Sequence, residues 1–143
     1  MALYSYSTTG ATTASIAIWG ILPPSNESTR IHELHVTQTT AVITSFGFGR
    51  ASAAGVTPTS PVAVIAETYG DAAGRSTVAT AWATPPTAPA AYLRRIYLPA
   101  TTGQGVILVF PYGISMQPAF EMTLTNLIAG ASAVANITAV VSE

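Results

Sequence analysis

Cysteine and lysine are both absent from this 143-residue chain. Without cysteine there are no disulfides, no thiol nucleophile and no zinc–thiolate site, and the compartment is left open. The missing lysine is part of a wider poverty of charge: 8% of residues are charged, all of the cations are arginine, and the net charge is −1. A typical globular domain carries about 25% charged residues. Phosphate backbones are held by clustered cations, and the five arginines are dispersed apart from Arg94-Arg95, so the chain is not expected to bind nucleic acid.

Long apolar runs are also lacking. Residues 1–26 are uncharged, but the run from Ile16 to Leu22 is far shorter than the ~18–20 residues of a membrane span and has no basic flank. The uncharged stretch 96–120 is cut by Pro99, Gly103, Gly105, Pro111, Gly113 and Pro118, which mark turns between strands. No membrane partner is expected.

What is present is a chain that is 49% hydrophobic and of the commonest single-domain size. Such a core needs neither disulfide nor metal, and a nearly neutral, apolar surface favours association. Much of the outside is therefore expected to be covered by copies of the chain or by a partner.

No window carries a helical stripe. Short runs rich in Val, Ile, Thr, Phe and Tyr recur instead between Gly, Pro, Asn and Ser, and they predict strands at 14–22, 30–38, 41–50, 62–67, 77–84, 92–98, 105–112, 119–127 and 133–141. The fold class is all-β: a two-sheet antiparallel β-sandwich of about 8–9 strands, with connections long enough for a jelly-roll-like topology. Residues 13–143 form that single domain. Residues 1–12 are an N-terminal arm, anchored on a neighbouring subunit through Tyr4 and Tyr6, or else a first edge strand.

Alternation places Phe46 and Phe48 in the core and Gly47 and Gly49 on the opposite face, where a ring or backbone can approach closely. The same rule turns Phe120, Met122 and Leu124 inward and Glu121, Thr123 and Thr125 outward. Segment 105–112 is apolar on both faces, so it is either a central strand or has one face in an interface.

Catalytic patterns are thin. His32 and His35, three apart on a strand, face opposite sides unless a bulge intervenes, and so are not expected to share a metal. Gly113-Ile114-Ser115-Met116-Gln117 lacks the closing glycine of a nucleophile elbow. Gly47-Phe48-Gly49 lacks the last glycine and the helix of a dinucleotide site. The carboxylates Glu33, Glu67, Asp71 and Glu121 are scattered and unmarked as an acid–base pair. The reading is a binding or structural protein with no cofactor, no metal and no catalytic residue. Trp82, Tyr92, Tyr97 and Tyr112 form either a sugar-stacking platform or core and interface anchors. Arg94 and Arg95 diverge on a strand, so that one can meet a carboxylate within the subunit or a partner.

Three stretches resemble small virion proteins of tailed bacteriophages: Arg30-Ile31-His32-Glu33, Thr80-Ala81-Trp82-Ala83-Thr84-Pro85, and the run from Tyr92-Leu93-Arg94-Arg95 through Leu98-Pro99-Ala100-Thr101-Thr102-Gly103 to Gly105-Val106-Ile107-Leu108-Val109-Phe110-Pro111. The resemblance spans roughly residues 30–141, and within that setting the profile is similar to capsid decoration (cement) proteins. It implies a β-sandwich or jelly roll on the capsid exterior that binds the major capsid protein and self-associates, commonly as a homotrimer. Tyr4, Tyr6, Arg94 and Arg95 are the candidate partner-binding residues. The alternatives are a glycan-binding host-recognition module of a tail or head fibre, or another tail or neck component.

Overall fold

The computed structural model describes residues 2–130 and 132–143; Met1, the first residue of the expected arm, lies outside them. Among the described residues there are twelve strands and no helix. They are β1 (Leu3–Thr12), β2 (Ala17–Leu22), β3 (Thr29–Gln38), β4 (Thr44–Arg50), β5 (Val56–Pro58), β6 (Val64–Ala66), β7 (Thr77–Ala79), β8 (Trp82–Thr84), β9 (Arg94–Leu98), β10 (Gly105–Met116), β11 (Met122–Asn126) and β12 (Ala133–Ser142).

Two five-stranded antiparallel sheets form the sandwich. The first runs β10-β3-β12-β1-β6 and the second β7-β2-β11-β4-β9. Successive long strands alternate between the sheets, so the order β1-β12-β3-β10 facing β2-β11-β4-β9 is that of an eight-stranded jelly roll. The four short strands all come from the connection between β4 and β9. In that insertion β6 extends the first sheet beyond β1, β7 extends the second beyond β2, and β5 pairs with β8.

The core is the seam between the sheets. Along β12 every second residue, Ala133, Ala135, Ile137, Ala139 and Val141, is fully buried, as period-two alternation requires. The small alanines leave room for Trp19, Phe46, Phe48, Met122 and Leu124 of the opposite sheet, all likewise inaccessible. Phe48 of β4 stacks on Phe110 of β10 at 5.9 Å between ring centroids, tying one sheet to the other. Each large apolar side chain withdrawn from water in this way contributes roughly 1.5–3 kcal/mol.

Residues 3–12 are not a free arm; they form β1, a strand of the same domain whose outer side carries the short β6 at residues 4–6 and is an edge beyond them. β1 pairs with β12 over its whole length and with β6 on its other side. Tyr4 and Tyr6 are buried in the chain's own core, where Tyr6 Oη donates to the Glu143 carboxylate at 3.2 Å. Burial and that carboxylate push the Tyr6 phenol well above its usual range. Anchoring on a neighbour is corrected accordingly: these rings have no surface left to offer.

Candidate interaction surface

The titratable and nucleophilic side chains singled out in the sequence are held apart. β3 contains a bulge, visible as register shifts against both of its neighbours, so Ile31 and Leu34 are both buried although three residues apart. That breaks the strict alternation on which the separation of His32 and His35 rested. Each histidine nevertheless has its own partner: His32 Nε2 lies 2.9 Å from Ser142 Oγ, and His35 Nε2 lies 2.8 Å from Glu33 Oε2. No group of three His, Asp or Glu side chains suited to a metal ion occurs among the described residues. Of the other carboxylates, Glu67 accepts a hydrogen bond from Ser5 and Asp71 lies on an exposed loop; Ser115, the candidate nucleophile, is exposed on β10 with no base beside it in the observed hydrogen bonds.

Glu121 departs most from expectation. Alternation turns it outward, yet it is 3% exposed, and Thr123 and Thr125 beside it are equally covered. The cause is the insertion, which lies over the outer face of the second sheet. Gly55 donates its N–H to Glu121 Oε2 at 2.7 Å, and Trp82 packs over Gly20 and Gly55. Burial raises the carboxyl pKa, and the Gly55 hydrogen bond only partly offsets that rise. Farther along the same face the Tyr92 ring lies against Gly47 so closely that a Cβ there would overlap it, while Pro89 and the Ala91 carbonyl cover Gly49. The close approach read from the two glycines is made by the insertion's own residues.

The four aromatics do not form a platform. Trp82 and Tyr92 serve the insertion, whereas Tyr97 and Tyr112 are 66% and 90% exposed. Arg95 places its guanidinium 5.4 Å from the Tyr92 ring centroid, and Arg94 Nη1 donates to the Leu93 carbonyl at 2.7 Å. Neither arginine has a carboxylate partner among the described residues, where the two ion pairs are His35–Glu33 and Arg75–Glu27.

Exposed apolar side chains are spread over the molecule; four of them, Tyr97, Ile107, Val109 and Tyr112, lie on the edge strands β9 and β10. Of the two alternatives for 105–112 the central strand is excluded, since among the described residues β10 has β3 as its sole strand neighbour. Its inner face, Val106, Leu108 and Phe110, is half-buried to buried, while Ile107 and Val109 on the outer face are 60% and 59% exposed. Beyond Val109 the strand humps. Residues 110–113 stand opposite His32 alone, with Gly113 at φ 65°, and the hump lifts Tyr112 into solvent while its carbonyl accepts from Arg30 Nη1 at 3.3 Å.

A second feature has no signal in the sequence. Phe120, placed inward by alternation, is 55% exposed because Ala119 adopts φ 66° in the turn before β11 and reverses the chain. Its ring lines a cavity of about 430 Å³ together with Arg50, Ser115 and Gln117, and Arg50 Nη2 donates to the Ser115 carbonyl at 3.4 Å. No protein-family model matches the chain, and neither the curated proteins nor the solved structures compared with it contain a significant match.

Proposed function

We propose that this chain is a structural, non-enzymatic decoration protein of a tailed-phage capsid, binding the major capsid lattice on the virion exterior and associating with itself. The observation that carries the reading is the exposed apolar outer face of the edge strand β10, Ile107 and Val109, on a chain with few charges to solvate it. The run that most resembles phage virion proteins, 92–111, contains both of these residues. A stable interface buries about 1,200–2,000 Å², and repetition over a shell multiplies a modest gain at each contact. Particles assembled with the protein should survive heat and chelator that burst particles lacking it, and should carry it in hundreds of copies. Equal resistance, or a handful of copies at a tail or neck, would sink the proposal.

The Phe120–Arg50 cavity favours a second reading, a glycan-binding module. An exposed ring stacks on a sugar face, and an arginine with no carboxylate partner among the described residues, beside the Gln117 amide, suits an acidic sugar. Saturable binding of a uronic-acid oligosaccharide, lost in Phe120→Ala, would put that reading first.

A further inference from the structure

We infer that residues 105–109 of β10 are a self-pairing edge: two copies align them antiparallel about a two-fold axis at Ile107, merging two five-stranded sheets into one continuous sheet. The inference rests on the reading of the chain as self-associating and names the surface involved. An edge strand presents a row of unpaired N–H and C=O groups, and folded proteins blunt such rows with short strands, charges, prolines or bulges.

The other edges of this sandwich are blunted or, along residues 7–12 of β1 beyond β6, built of small and mostly polar residues. β6 and β7 are three residues long, and β9 carries Arg94 and Arg95. The far half of β10 is interrupted by Pro111 and the hump at 110–113. Residues 105–109, Gly-Val-Ile-Leu-Val, have none of these devices.

A second copy fits this edge because the segment is uncharged and self-complementary when read backwards. Ile107 then meets Ile107, Val106 meets Leu108, and Val109 meets Gly105, each pair directly opposite and on one face. The exposed Ile107 and Val109 of both copies close over the seam on the outer face, and the half-buried Val106 and Leu108 complete the inner one. The arginines do not collide. Arg94 pairs with Phe48, which stacks on Phe110, so it lies towards the Phe110 end of β10 and the axis sends the two copies of it to opposite ends. Such a contact is isologous and closes at two subunits.

The chain has no cysteine, so single reporters are clean. Ile107→Cys, treated with a short bis-maleimide at micromolar protein, should cross-link as a dimer about a hundredfold faster than Tyr69→Cys, because paired edges hold the thiols at millimolar effective concentration. Gly105→Cys mixed with Val109→Cys should give the mixed dimer in preference to either homodimer. Ile107→Lys should yield monomers by light scattering with an unchanged far-UV spectrum. Cross-linking of Ile107→Cys no faster than of Tyr69→Cys, or a mass corresponding to three subunits, overturns the pairing. The two proposals fail separately: a protein that coats particles without this cross-link refutes the edge alone, and one that cross-links yet is missing from the shell refutes the decoration role alone.

Discussion

The carboxylate of Glu121 and the backbone N–H of Gly55 meet at 2.7 Å beneath the insertion, which makes a buried acid the fastening point between the second sheet and the segment that covers it. Burial raises the pKa of this acid above its unfolded value. The folded protein therefore binds the Glu121 proton more tightly than the unfolded chain does. This contribution to stability grows as pH falls from the raised folded value to the ordinary carboxylate range, and it is lost as pH rises through the same window. Glu121→Gln keeps an acceptor for Gly55 without the charge. Its melting temperature should exceed that of the parent at neutral pH, with the gap closing as pH falls through the window; a constant gap across pH would contradict the assignment.

Gly47→Ala should destabilise by about 1–3 kcal/mol, because its methyl group enters the space of the Tyr92 ring and the insertion has to shift. Combining it with Tyr92→Ala should cost less than the sum of the two single changes, as expected for residues in direct contact. Urea titrations of the four species at one protein concentration measure the coupling.

Phe48→Ala should cost about 3–5 kcal/mol, since it empties a fully buried site and leaves Phe110 without its stacking partner. The denaturant midpoint should fall while the slope of the unfolding transition stays constant.

Ala119→Gly should stabilise the fold. Ala119 sits at φ 66°, where an L-residue with a Cβ is strained by roughly 1–2 kcal/mol. Glycine loses more freedom on folding, by about 0.5–1 kcal/mol, so the net gain is up to about 1.5 kcal/mol, readable as a higher melting temperature.

The sandwich was legible in the sequence wherever a strand's neighbours lie in its own sheet and its side chains alternate. β3, β4 and β12 follow the predicted spans to within a few residues, and the inward pair Phe46 and Phe48 is buried as alternation demands. What could not be read depends on distant chain segments or on single dihedral angles. The polar outer row of β11 looks solvated until the insertion is folded over it. Phe120 reads as inward until Ala119 takes a positive φ and ends the alternation. Segment 77–84 reads as one strand but splits, because β7 joins the second sheet while β8 pairs with β5. The rank of β10 was open for the same reason, since an apolar strand gives no sign of whether it has one neighbour or two. The apolar face itself was visible, and it is where the candidate surface lies.

The position of β12 between β1 and β3 bears on how the protein is made. The first sheet cannot zip up until residues 133–142 have left the ribosome. Until then Tyr6, Ile31 and Leu34 have no permanent cover. Pairing segments more than a hundred residues apart in sequence slows folding and leaves half-built apolar faces uncovered in the meantime.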